Sequence, residues 1–240
     1  MVVNKMLDKI FECKDGVLEA LETSLSPERM ATYVQASGGD RERALRLYTW
    51  NTAISAAFYG PLQGLEIALR NAMHVQLTGA YGQNWYDNPA CGFDAGALDR
   101  LDAARRSLGK GGYVIDPPHL VAELSFGFWV SLLGKGGRGR TPETRKKNYD
   151  MTLWRKALYK AFPHSHLSRA QTHRPLDYLR TFRNRIAHHE PIFTRHLKAD
   201  FQSILDVSGW ICPKTADWIK HHSRVEGMLA CERDDGNLLF

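Results

Sequence analysis

Apolar positions recur every three or four residues along most of this chain, and no stretch alternates them with polar positions as a half-buried strand would. In LQGLEIALRNAMHVQLTGAYG, Leu62, Leu65, Leu69, Met73 and Leu77 fall on one face of a helix. RERALRLYTWNTAISAAFY has the same period, with Ala44, Leu47, Ile54 and Phe58 facing inward and a start at Asp40. Gly60-Pro61 is expected to separate these two runs, because proline lacks the N–H that an interior helical residue donates. Ser26-Pro27-Glu28 reads as a helix start, with a capping hydroxyl, proline at the first helical position and an acid at the positive dipole end. A charged helix over 95–108 closes in the glycine turn GKGGY, and Pro117-Pro118 opens a short helix leading into SFGFWVSLL. Further helices are expected near 151–162, 175–189 and 194–208, with a last helical pair over 214–231. The pattern predicts an all-α fold: one domain over 1–240, a helical bundle with peripheral additions.

Charge sharpens this picture. The chain carries a formal net charge of +6, but residues 134–198 hold 16 Lys and Arg against 4 Asp and Glu. That segment is net +12, so the remainder is net −6, and an anionic partner is expected at the basic segment. Its glycine-rich part, GKGGRGRTPETRKK, reads as an exposed, mobile loop. Lys135, Arg138, Arg140, Arg145, Lys146 and Lys147 are its candidate contacts for a phosphate backbone; simple solvation is the other reading. Neither GKGG run fits the phosphate-loop spacing GxxxxGK[ST].

The most apolar run, LSFGFWVSLL, is half the length that a membrane-spanning helix needs, so no membrane is expected. The first turns mix Lys, Asp and Glu, unlike a secretory signal. Cys13, Cys91, Cys212 and Cys231 form no CxxC pair, which suits a reducing compartment, and a cytoplasmic protein is expected.

The chemistry concentrates in FRNRIAHHEPIF, 182–193. Wound at 100° per residue, Leu179, Phe182 and Ile186 share an apolar face within about 60°. Asn184 and His188 are four apart, so the amide can orient the imidazole. His189 falls at the edge of the apolar face, which favours a packed histidine. Arg183 lies roughly 140° from His188 on an ideal helix. One reading is a basic, solvated helix end. The other is a site for an anion, with an imidazole moving protons and a guanidinium gripping phosphate. In that case the splay suggests two copies meeting across a two-fold axis.

Weaker groupings exist. Glu66, Arg70 and His74 are spaced by four and read as a salt-bridge ladder, or as a polar strip facing the Arg183 helix. His164, His166 and His173 are read as lying in a loop without an acidic or cysteine partner at ligand spacing, so no metal site is expected. Trp50, Trp129 and Trp154 fall within apolar patterns and read as core.

Arg183-Asn184-xxx-His188 is similar to the R-x4-6-H motif of the HEPN superfamily of helical ribonucleases, where a polar residue follows the arginine. The longer run RNRIAHHEPIF resembles the signature of its Abi-like (abortive infection) branch. GGDRERALRLYTWN, the run 65–85 ending YGQNW, and LSFGFWVSLL resemble that branch's stretches in the same order. The resemblance spans about 26–200, leaving 201–240 as a C-terminal helical extension. It implies a HEPN-type bundle and a metal-independent endoribonuclease without cofactor, acting in phage defence or as a toxin on an RNA substrate. It also implies a homodimer or higher oligomer with a composite site. Arg183, Asn184 and His188 are its catalytic residues; Arg185, His189, Arg70 and His74 are auxiliary candidates. The alternatives are a catalytically silent RNA-binding module and an interaction subunit held by an RNA or protein antitoxin.

Overall fold

The computed structural model describes residue 11 and residues 15–141, 146–236 and 238–240. Among these residues every regular element is a helix, and the protein is all-α. In order the longer elements are α1 (Asp15–Leu25), α2 (Pro27–Ala36), α3 (Arg41–Tyr81), α4 (Ala95–Lys110) and α5 (Pro117–Glu123). They continue as α6 (Phe126–Leu132), α7 (Arg169–Ala187), α8 (Leu197–Ile211), α9 (Pro213–His222) and α10 (Val225–Ala230). No helix among the described residues is long and apolar enough to cross a membrane.

Two packing units share this chain, and α3, α7 and α8 each contribute a segment to both. The first unit takes the described residues up to Gly60, Arg185–Phe201 and the chain from Ser223 onward. Its core is aromatic: the Tyr33 ring meets Tyr48 at 5.1 Å and Phe193 at 5.2 Å, and Phe58 meets Phe201 edge-on. Offset and edge-on pairs of this kind add to the area that the rings bury. The guanidinium of Arg233 covers the Trp50 ring at 4.9 Å. Asp200, fully buried, is held by both Nε and Nη2 of Arg195 at 3.0 Å, the paired geometry that makes a buried carboxylate tolerable.

The second unit comprises Pro61–Asn184 and Gln202–His222. Leu65, Leu69, Met73 and Leu77 are completely buried, as their spacing predicts. Trp85 lies amid Phe93, Phe128 and Trp129 at 5.8 to 6.4 Å between ring centroids. Helices α5 and α6 both pack on α4. Gly64 lets α9 approach α3: a Cβ there would sit 3.0 Å from Cγ1 of Ile219.

Three expectations are corrected. Gly60-Pro61 does not end a helix; α3 runs through both residues for 41 positions. An interior proline costs about 3 kcal/mol, but Phe58, Leu62 and Leu65 are buried on either side of it, and breaking the helix would expose them. The same dipeptide is where the chain passes from the first unit to the second.

Residues 151–162 form no α-helix. They make a π-helical turn, Asp150–Trp154, and a 3-10 turn, Leu158–Ala161. Arg155 donates its backbone N–H to the Asp150 carbonyl and its Nε to the Asp150 carboxylate, so an ion pair five residues long reinforces a five-residue backbone step.

Helix α7 begins at Arg169 rather than Pro175, and His173 therefore lies on it. Ser168 and Gln171 supply a reciprocal cap: the Ser168 N–H donates to Gln171 Oε1 at 2.9 Å, and the Gln171 N–H to Ser168 Oγ at 3.4 Å. With both orphan donors satisfied there, the helix starts six residues before the proline.

The glycine-rich loop is anchored at its base. Lys147 N–H donates to the Gly137 carbonyl at 2.8 Å, Gly137 N–H to Asp94 Oδ2 at 2.7 Å, and Ala95 N–H to the Arg138 carbonyl. Gly136 has φ +80, and a Cβ there would meet the Lys147 carbonyl oxygen at 2.6 Å, so only glycine fits this crossing.

Candidate functional site

The helix that carries Arg183 stops in a specific way. After Ala187, the His189 N–H donates to the Ile186 carbonyl at 3.0 Å and the Glu190 N–H to the Arg185 carbonyl at 2.8 Å. These are the two bonds of a Schellman stop, with His188 as the cap and His189 in the left-handed position at φ 56. Pro191 follows and prevents resumption. The left-handed position is usually glycine; a histidine there is strained.

Three further contacts hold this turn. Arg185 donates Nη2 to the Pro191 carbonyl at 2.9 Å and pairs with Glu190 at 3.3 Å. Arg29 donates Nη1 to the His189 carbonyl at 2.5 Å. Oδ1 of Asn51, only 5% exposed, accepts the N–H groups of Ile192 at 2.8 Å and Phe193 at 3.2 Å. A turn that keeps an exposed histidine is thus fixed from both sides.

On this frame the expected residues fall as follows. Arg183 is 42% exposed, and its Nε stands 3.8 Å from Oε2 of Glu66. The other oxygen of Glu66 accepts the N–H of Phe126 at 3.0 Å, where the positive end of α6 favours a carboxylate. Asn184 is half-buried. His188 and His189 are both exposed, in the turn beyond the helix. The expectation of a packed His189 is corrected: the left-handed turn carries it away from the apolar face that an unbroken helix would have continued. His188 caps α7 one residue past its end, and no hydrogen bond joins it to Asn184.

The auxiliary candidates have other partners. Arg185 holds the turn, as above. Arg70 donates Nη1 to the Ala122 carbonyl at the end of α5. His74 accepts the Trp85 Nε1–H on Nδ1 at 3.0 Å, which fixes its proton on Nε2, and burial holds its pKa below the ordinary value. The ladder expected from Glu66 to Arg70 to His74 is therefore replaced by three separate partnerships. Of the three, Glu66 pairs with Arg183.

In the basic loop, Lys135, Arg138 and Lys146 are exposed and Lys147 is half-buried. Arg140 is committed to Asp99 at 3.0 Å and Asp102 at 2.5 Å, and these carboxylates raise its pKa. Arg145 lies outside the described residues. Among the described residues no three His, Cys, Asp or Glu side chains are grouped to hold a metal ion.

Pattern reading missed Asn51, Arg29 and the Ser168–Gln171 cap. The first had a signal: an amide between Trp50 and Ala53 in an apolar run demands a buried partner. The cap was visible as S-x-x-Q. Arg29 had none, since its partner lies 160 residues away.

The chain matches no protein-family model, no curated protein and no solved structure.

Proposed function

We propose that this chain is a HEPN-type endoribonuclease of the Abi-like kind, metal-independent and homodimeric, which acts in phage defence or as a toxin. The observation that supports the reading is the end of α7. An arginine, an amide and an exposed cap histidine follow one another into a turn clamped by Arg29, Arg185 and Asn51. Such clamping holds a catalytic imidazole without using either ring nitrogen, so both stay available for proton transfer.

The chemistry follows from these groups. A ribose 2′-OH attacks the adjacent phosphorus and gives up its proton; the 5′-oxygen leaves and takes one up; the product is a 2′,3′-cyclic phosphate. His188 moves protons at these oxygens. Arg183 stabilises the charge that develops on the phosphoryl oxygens. Its pairing with Glu66 at 3.8 Å is long and half-exposed, so an incoming phosphate displaces it at small cost. Two copies would assemble the composite site, each supplying an Arg and a His. A restraining partner, RNA or protein, would suit the net +12 segment.

The pairing of Arg183 with an acid also favours a second reading, a catalytically silent RNA-binding module of the same fold. One experiment separates the two: RNA cleavage in excess EDTA by the wild type and by His188→Ala at matched dimer content. Cleavage that survives EDTA, leaves cyclic phosphate and disappears in the variant is the expected result. Equal cleavage by the two proteins, or cleavage abolished by EDTA, refutes the ribonuclease reading as stated.

A further inference from the structure

The second unit has an open cleft of about 390 Å³ lined by Trp154, Arg155, Tyr159, Ser165, His166 and Leu167. It exists because residues 150–162 abandon the α-helix. The π turn and the 3-10 turn place Trp154 and Tyr159 on one cleft, with 162–168 as its other wall.

Its walls combine two kinds of surface. Trp154 is buried against Phe162, with ring centroids 6.1 Å apart, and forms a firm aromatic floor. Tyr159 is 47% exposed, with the Lys160 ammonium 5.7 Å from its ring centroid. His166 is exposed at the rim. In sequence, residues 150–174 carry Arg155, Lys156, Lys160, Arg169 and Arg174 against a single acid, Asp150. Asp150 pairs with Arg155 at 2.8 Å and lies 3.6 Å from Arg169. Arg155 keeps 67% of its side chain in solvent, and Lys156 and Lys160 are exposed.

An aromatic cleft with Arg155 in its lining and the exposed Lys156 and Lys160 beside it in sequence suits a flat, uncharged ring joined to phosphates. A purely apolar ligand would gain nothing from the cations, and a simple anion nothing from the rings. We propose that this cleft takes one unstacked base of a single-stranded RNA, stacked on Tyr159, with its flanking phosphates on Arg155, Lys156 and Lys160. The identity of the strand as RNA rests on the ribonuclease reading above; the base-stacking site does not.

The cleft ends at Leu167, two residues before α7 begins, and Arg183 lies fourteen residues along that helix. At 1.5 Å per residue the rise from Arg169 to Arg183 is about 21 Å, roughly six stacked nucleotides. The cleft is thus a second foothold that selects substrates long enough to reach both places.

The test uses the full chain in EDTA, with His188→Ala as a parent for binding measurements. A fluorescent 12-nucleotide single-stranded RNA is titrated and followed by anisotropy. Tyr159→Ala is expected to weaken binding about fivefold or more, the range for one lost base–aromatic stack. Tyr159→Phe, which keeps the ring, should bind within about twofold of the parent. The same sequence as a full duplex should show no dependence on Tyr159. Tyr159→Ala binding like its parent, Tyr159→Phe failing as badly as alanine, an equal effect on duplex, or no RNA binding at all would overturn the proposal. The two readings fail separately. A wild type that cleaves nothing while binding depends on Tyr159 removes the ribonuclease and keeps the cleft. Cleavage without any effect of Tyr159 does the reverse.

Discussion

His189→Gly should stabilise this protein. His189 sits at φ 56 in the left-handed position of the stop after α7. A side chain with a Cβ costs about 1–2 kcal/mol in that region, while glycine's greater freedom in the unfolded chain gives back about 0.5–1 kcal/mol. The net expectation is a gain of about 0.5–1 kcal/mol. The imidazole is exposed and makes no hydrogen bond to a described residue, so its removal subtracts little. His189→Ala keeps the Cβ and should be neutral within a few tenths of a kcal/mol.

The three proteins are compared by urea unfolding with unchanged m-value, and by thermal melting, where the glycine variant should gain about 1–4 °C. A glycine variant no more stable than the alanine variant would refute the strain argument. Activity supplies a second readout. Under the ribonuclease reading His188 moves the protons and His189 only completes the turn, so both variants should cleave like the wild type. Loss of cleavage would mean that His189, at the R-x5-H spacing, is the working imidazole.

Two other outcomes are expected. Asn51→Ala orphans two buried backbone N–H groups at Ile192 and Phe193, which should cost about 2–5 kcal/mol in denaturant unfolding; Asn51→Asp, which keeps the acceptor oxygen, should lose less. His74, with its pKa lowered by burial, binds its proton less readily folded than unfolded, so stability should fall as pH drops below about 6.5. His74→Gln, which keeps an acceptor for Trp85 Nε1–H, should flatten that part of the curve; an unchanged slope would mean that another group titrates there.

Much of the helical layout was legible because the driving pattern is local. The buried stripe from Leu62 to Leu77 follows from spacing alone, and so do the Ser26-Pro27 start and the core tryptophans Trp50, Trp129 and Trp154. The misreadings came where a local rule was outweighed. Proline's penalty at Pro61 is real, but the burial on both sides of it is larger. At 151–162 the apolar period suggested a helix, and the Asp150–Arg155 pair drew the backbone into a wider turn instead.

Within the candidate site, residue types and order were readable, since R-N-x-x-x-H is a feature of the sequence itself. The environment of each residue was not. That Arg183 faces Glu66, that Arg185 braces a turn and that His74 serves Trp85 depend on partners up to 117 positions away in the chain.

By itself the sequence determined the all-α class, the basic segment and the cluster of groups at the end of α7, because periodicity and charge act over a few residues. Only the tertiary structure decided which of those groups are spent on holding the fold and which face solvent. A guanidinium or imidazole satisfies a distant carbonyl as readily as a phosphate, and the chain must fold before the two uses differ.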